Sequence, residues 1–142
     1  MPSGSERFDT IVLDSSILFT ILLNESGYEQ YEEIVNNARE LVIGAPTLGE
    51  VGIVVHCREG RAGVAGLLAL LNRWGVRVVD FTQLHAMEAI DAYSRYGKGI
   101  HPAKLNMGDS NSYATAKVAG AALPYKGNHF GQTDLPKLTL PA

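Results

Sequence analysis

Short runs rich in β-branched residues alternate with stretches of helical apolar spacing along this chain, and that alternation restricts the fold more than any other feature of the sequence. Thr10–Leu13 is such a run, ending at Asp14, and reads as a buried strand. Ser15 to about Asn24 continues as an apolar helix, and Gly27–Glu40 as an amphipathic one. Leu41–Ile43 is a second short strand, closed by Gly44 and Ala45. Thr47-Leu48-Gly49-Glu50 has the form of a capping box, Thr with Glu three residues on, ahead of the apolar helix Val51–Cys57. Gly60 breaks that helix, Val64–Trp74 forms another, and Val76–Val79 is a third strand. Thr82–Arg95 is a long amphipathic helix offering Leu84, Met87, Ala89, Ile90 and Tyr93 to the core. Residues 97–106 form a conspicuous loop before the last helix, roughly Asp109–Ala121. Leu123–Lys126 reads as a fourth strand, Gly127–Pro136 as a loop with turn chemistry, and Lys137–Leu140 as a short final strand. Strands and helices that take turns in this way predict an α/β fold with a mostly parallel sheet.

The 142 residues, 46% of them hydrophobic, suit one domain over 1–142, with weak order expected in residues 1–8. No run of about 18 uncharged apolar residues exists to span a bilayer. Met1–Phe8 lacks the apolar stretch of a secretory signal, so the cytoplasm is the expected compartment. A single cysteine, Cys57, excludes an internal disulfide framework and a multi-cysteine zinc site; a buried or half-buried helical thiol is expected. The net charge of −3 conceals an asymmetry, since residues 1–60 hold ten acids and three bases while residues 91–142 hold three acids and six bases. An acidic half beside a basic half suits a protein that binds a cation in one place and phosphate in another; it also suits an ordinary solvated surface.

In a parallel sheet the carboxyl ends of the strands meet along one edge, where ligands bind. Asp14 ends the first strand, Glu50 follows the second, and Asp109 opens the helix after the 97–106 loop. Carboxylates that converge repel one another, and a bound cation relieves the repulsion. Hard oxygen donors without cysteine or paired histidine favour Mg²⁺ or Mn²⁺. Each acid also has a plain structural reading: Asp14 and Asp109 as helix N-caps, Glu50 as half of its capping box. His56, His85 and His101 show no metal-ligand spacing, and Ser15, Ser16, Ser110 and Ser112 lack the Gly-x-Ser-x-Gly context of a hydrolase nucleophile. Lys98, Lys104, Lys117 and Lys126 are candidates for a phosphate backbone, with Tyr96 and Tyr113 as stacking platforms, against the alternative of solvated lysines and packed tyrosines.

These residues resemble a known pattern. Ile11-Val12-Leu13-Asp14-Ser15-Ser16 is similar to the opening strand and Asp-(Thr/Ser)-Ser of PIN domains, and Thr47-Leu48-Gly49-Glu50-Val51 to their second motif. Gly97-Lys98-Gly99-Ile100-His101-Pro102-Ala103-Lys104-Leu105-Asn106-Met107-Gly108-Asp109-Ser110 resembles the third motif of VapC-like toxins of type II toxin–antitoxin systems. Pro124-Tyr125-Lys126-Gly127-Asn128-His129-Phe130-Gly131-Gln132-Thr133-Asp134 resembles their fourth segment. The resemblance covers almost the whole chain in order. It implies a three-layer α/β/α sandwich on a central, mostly parallel sheet of four or five strands. It implies a Mg²⁺- or Mn²⁺-dependent endoribonuclease acting on a cellular RNA such as a tRNA or ribosomal RNA. Asp14 and Asp109 would be the principal metal ligands, Glu50 a third acid, and Ser16 a hydrogen-bonding support of the strand end. Lys98, Lys104 and Lys126 would meet the RNA backbone. A homodimer is implied, as is a VapB-like antitoxin through which alone DNA is contacted; no membrane partner is implied.

The departure is His129, which stands where that family has a fourth acid, with Asp134 five residues on as a candidate substitute. Two other readings compete: a PIN scaffold that survives as a partner-binding module, and a phosphotransfer enzyme using Asp14. The second is poor, because Ser16 stands where a phosphatase of the haloacid-dehalogenase type carries its second Asp. Imidazole in place of carboxylate is expected to weaken a second metal site and shift preference towards Mn²⁺. A metal titration of the parent against His129→Asp checks this; tighter second-ion binding and a stronger Mg²⁺ preference are expected in the variant, and identical curves would reject the expectation.

Overall fold

The computed structural model describes residues 8–125 and 133–135, with side chains from residue 10 onward. Thr10, Ile11 and Val12 favour extended backbone because their branched Cβ atoms crowd a helix, and they lie in strand β1, Phe8–Val12. Phe8 pairs with Ala38; residues 1–7, on which the rest of the expected weakly ordered N-terminus falls, lie outside the described part. The chain continues through α1 (Ser15–Leu22), α2 (Tyr28–Asn37), β2 (Ala38–Gly44), α3 (Ala45–Arg73), β3 (Arg77–Val79), α4 (Gln83–Tyr96) and α5 (Met107–Ala119). The sheet is parallel in the order β1-β2-β3, with Ile11 beside Leu41 and Ile43 beside Val78. On the far side of β1 a parallel bridge joins Ile11 to Ala122, with Val12 N–H donating to the Ala122 carbonyl at 2.9 Å. The expected fourth strand is reduced to this bridge among the described residues; Lys126 and the expected strand Lys137–Leu140 lie outside them.

Alternation along the strands builds the layers. Ile11, Leu13, Leu41 and Ile43 face α1, α2 and α3, in one cluster with Ile17, Leu18, Ile34, Val51 and Leu67. Val12 and Val42 point the other way, into a second cluster with Ala92, Tyr96, Leu105, Tyr113 and Ala116 from α4, α5 and the loop between them. Helices therefore cover both faces of the sheet, as the three-layer expectation requires.

Several boundaries differ from the sequence reading for identifiable reasons. The helix expected to run to Glu40 stops at Asn37, because Thr10 and Glu40 are strand partners and Arg77 pairs with Glu40 at 3.2 Å. Helix α3 starts at Ala45 with Gly44 as its N-cap and Pro46 in the first turn, where a fixed φ favours initiation. Thr47 is thus inside the helix, and the Thr47–Glu50 capping box does not form. Gly60 does interrupt the helix, at φ 68° and ψ −158°, a conformation open to glycine alone. Cys57, expected buried or half-buried, is exposed. In α4 the core takes His85, Ala92 and Tyr96, while Leu84, Met87 and Ile90 are exposed and Tyr93 is 40% exposed. The apolar stripe expected to face inward faces outward.

The carboxyl end of β2 is packed tightly on α5. A Cβ added at Gly44 would lie 2.6 Å from Thr115 Oγ1, so Thr115 or the backbone around it would have to shift. Gly44→Ala is expected to lower stability by about 1–3 kcal/mol, and Thr115→Ala in the same chain to recover most of it. Chemical denaturation of the single and double variants measures this; independent, additive losses would contradict it.

Candidate active site

Asp14 is 3% exposed, and a buried carboxylate requires hydrogen-bond donors. Its side chain caps α1. Oδ2 accepts from Ser16 N–H at 3.1 Å and from Ser16 Oγ at 2.6 Å. Oδ1 accepts from Ser112 Oγ at 2.7 Å, across 98 residues of sequence. Ser112 is itself 1% exposed and lies 3.3 Å from Thr47 Oγ1 on α3. The first acid is therefore tied to α1, α3 and α5 through hydroxyl groups. Ser16 supports the strand end as expected; Ser112 was missed by the sequence reading, since a serine among alanines in a helix carries no signal that separates a buried donor from a solvated one.

Asp109 is not the N-cap of α5. Asn106 occupies that position, and its Oδ1 accepts from Asp109 N–H at 2.8 Å. Asp109 Oδ2 in turn accepts from Asn106 N–H at 3.0 Å, which completes a capping box one turn earlier than the sequence suggests. A carboxylate there is also favoured by the positive end of the helix. Glu50, on α3, lies against this same turn: a Cβ added at Gly108 would stand 3.1 Å from Glu50 Oε1. Burial raises the Glu50 pKa above the ordinary carboxylate value, and the charges of Asp14 and then Asp109 raise it further. Three acids from distant segments share one electrostatic neighbourhood.

Other candidates fall elsewhere. Tyr96 is 9% and Tyr113 0% exposed, so both are packed between α4 and α5, and the idea of base-stacking platforms is corrected. Lys98 and Lys104 are exposed on the loop leading to α5, which is closed by a bridge between Gly97 and Leu105. Lys104 adopts a left-handed φ of 54°. Lys126 and His129 lie outside the described residues. Asp134 is not with the other acids: it accepts from Tyr113 Oη and, at 2.8 Å, from Lys117 Nζ. His56 is exposed. His85 is buried, its Nδ1 accepting from Thr82 N–H at 3.1 Å, and His101 Nδ1 accepts from Ala103 N–H at 3.0 Å. Among the described residues no three His, Cys, Asp or Glu side chains are already drawn into one coordination shell, and no helix is long and apolar enough to cross a membrane.

Residues 11–135 match the family model described as the PIN domain. The chain belongs to the PIN-domain family. Within the family its similarity runs to VapC proteins. It is 35% identical over 131 residues to Ribonuclease VapC30 of Mycobacterium tuberculosis, covering 92% of this chain and all of that protein. It is 39% identical over 125 residues to Ribonuclease VapC of Mycolicibacterium smegmatis, covering 88% and 97% of the two. Among solved structures, VapC20 of Mycobacterium tuberculosis, titled a Sarcin-Ricin loop cleaving toxin, superposes with a TM-score of 0.72 at 15% identity over 90% of this chain and 98% of that one. VapBC2 from Rickettsia felis, bound to a DNA fragment from its promoter, superposes with a TM-score of 0.66 at 16% identity, over 87% and 91%. At those identities the structures speak for the fold, and they agree with the layered PIN arrangement described above.

The electrostatics of this PIN domain make a stability prediction. Because its folded pKa is raised, ionised Glu50 opposes folding; the cost is absent below the unfolded value of about 4.3 and complete above the folded one. Glu50→Gln is therefore expected to melt higher than the parent at pH 7 in chelator, with the difference closing as pH falls below about 4. Thermal melts at the two pH values decide it; an equal or lower melting temperature at pH 7 would show that the three acids do not repel.

Proposed function

We propose that this PIN domain is a Mg²⁺-dependent endoribonuclease toxin, with Mn²⁺ able to substitute, that hydrolyses phosphodiester bonds in a cellular RNA and is neutralised by a cognate VapB-like antitoxin. The observation that carries this reading is Glu50 pressed against the first turn of α5, its pKa raised by burial and then by the charges of Asp14 and Asp109. Repulsion of that kind is maintained at a site that has a cation to bind; an idle surface gains nothing from it. The donors suit the ion, being anionic oxygens without thiolate. Asp14 and Asp109 would hold it, with Glu50 as a third ligand or as the group orienting the attacking water. When bound, the ion supplies acidification of a water molecule and stabilisation of charge developing on the phosphodiester.

The chain's own residues do the rest. Ser16 and Ser112 hold the Asp14 carboxylate in one orientation, because each donates a hydroxyl hydrogen bond to one of its oxygens. A carboxyl with a raised pKa, as at Glu50, is a better acceptor of a proton from water than an ordinary one. Lys98 and Lys104, exposed on the segment that leads to Asp109, and Lys126 would neutralise RNA phosphates. A tRNA or a ribosomal RNA loop is the proposed substrate class, in keeping with VapC20, titled a Sarcin-Ricin loop cleaving toxin, and an arginine of the proposed antitoxin would pair with the acids in the cation's place. Contact with DNA would come through that antitoxin. A homodimer is the proposed assembly, supported by the exposed apolar side chains of Leu84, Met87 and Ile90 on α4.

Cleavage of total tRNA and ribosomal RNA is expected with Mg²⁺ or Mn²⁺ and not with EDTA. Asp14→Asn and Asp109→Asn are each expected to slow it by about a hundredfold or more while keeping the fold, since a lost charged ligand removes several kcal/mol of transition-state stabilisation. Parent-rate cleavage by either variant would withdraw that ligand, and no metal-dependent cleavage by the parent would favour the partner-binding scaffold. Replacing Lys98, Lys104 and Lys126 with alanine is expected to weaken RNA binding and to reduce the slope of log K against log salt by about 2; an unchanged slope in a filter-binding series would exclude them.

A further inference from the structure

We propose that Asp134 is a positioning residue for the reaction, fixing the rotation of α5 through Tyr113 and Lys117 and so the direction in which Asp109 points. The proposal rests on the nuclease reading above. Asp109, Tyr113 and Lys117 are spaced four apart on α5, which places them on one stripe of the helix. Asp134 grips the lower two members of that stripe. Tyr113 has a fully buried ring, so its hydroxyl needs an acceptor, and it donates to Asp134 Oδ1. Lys117 Nζ donates to Oδ2 at 2.8 Å, and the Arg95 guanidinium of α4 stands 3.7 Å from the same oxygen. Burial opposes the charge on Asp134, but the hydrogen bonds from Lys117 and Tyr113 and the attraction of Lys117 and Arg95 outweigh it and hold its pKa below the usual aspartate value.

The clamp reaches the loop before α5 as well. Arg95 donates to Tyr96 Oη at 2.7 Å and lies over the Tyr96 ring, 4.8 Å from its centroid. The Tyr96 carbonyl accepts from Leu105 N–H at 2.9 Å, just before the Asn106 cap. A helix gripped along one stripe resists turning about its axis, and any turn it made would carry the Asp109 side chain sideways with it. Both Asp134 oxygens are taken by protein donors, which separates this role from that of an additional metal ligand.

The test compares Tyr113→Phe, Asp134→Asn and the double variant of the full chain, at a temperature where melts show all three folded, with Mn²⁺ and total tRNA. Each single variant is expected to lower the saturating rate by about tenfold or more with half-saturation unchanged, and the double variant to fall no further than the lower single. Mn²⁺ titration is expected to give the same result for Tyr113→Phe as for Asp134→Asn. Parent-like cleavage by Tyr113→Phe beside a slow Asp134→Asn with lost Mn²⁺ affinity would make Asp134 a ligand and overturn the proposal, as would additive losses. If Asp134→Asn does not fold, Lys117→Met takes its place, since it breaks the same grip without touching a carboxylate. If the parent itself does not cleave, the nuclease reading fails and the clamp is judged by amide hydrogen exchange: faster exchange over residues 109–112 in both single variants upholds it, and unchanged exchange overturns it.

Discussion

A negative charge at the inner end of a strand has to be solvated by something, and in this molecule Ser16 and Ser112 do so. The Asp14 carboxylate is nearly sealed from water, yet both its oxygens accept hydroxyl hydrogen bonds, one from the helix that follows it and one from a helix almost a hundred residues later. Hydrogen bonds to a charged acceptor are stronger than neutral ones and lose more when a partner is removed. The arrangement that stabilises the anion therefore also registers α1 and α5 against the end of β1. Thr47 joins through Ser112 and brings in α3, the element that carries Glu50. The sheet edge, the helices and the acids are set by one buried group and its donors.

From this follows an uneven distribution of stability. Asp14 and Asp109 each sit in a local structure that supplies hydrogen-bond donors: a helix cap in one case, a reciprocal capping box in the other. Glu50 has no such support among the described residues, and burial, then the charges of its two neighbours, push its pKa upward. Repulsion is thus concentrated on one carboxyl. On the opposite end of α5 the charges are balanced, with Asp134 between two cations and a phenol. One helix joins a site held under electrostatic tension to a site where charge is fully paired, and the paired end is what keeps the tense end from relaxing by rotation.

Much of this was readable from the residues. Short β-branched runs located the first three strands, and because parallel strands point one way, their following residues, Asp14 and Glu50, were placed on a common edge. The third acid, Asp109, was placed by the loop and turn signals before it. What failed was anything that depends on which surface ends up covered. Apolar spacing says that Leu84, Met87 and Ile90 share a face of α4; it does not say that Ala92 and Tyr96, on the other face, are the ones that meet the core. The capping box expected at Thr47 and the N-cap expected at Asp109 fail in the same way, since Pro46 and Asn106 compete for the helix start and win by position. Ser112 and Asp134 depend on partners 98 and 21 residues away, and local pattern has no access to such pairs. Family resemblance, by contrast, pointed to Asp14, Glu50 and Asp109 as candidates and to Ser16 beside the first of them, while saying nothing of Ser112.

The central claim is that one divalent ion is shared by these acids. Anomalous diffraction from crystals soaked in Mn²⁺ tests it most directly. The account predicts a peak at about 2.0–2.3 Å from oxygens of both Asp14 and Asp109, with Glu50 bound directly or through a water. A soaked crystal whose anomalous signal is absent there, or lies where only one of the acids can reach it, would contradict the account.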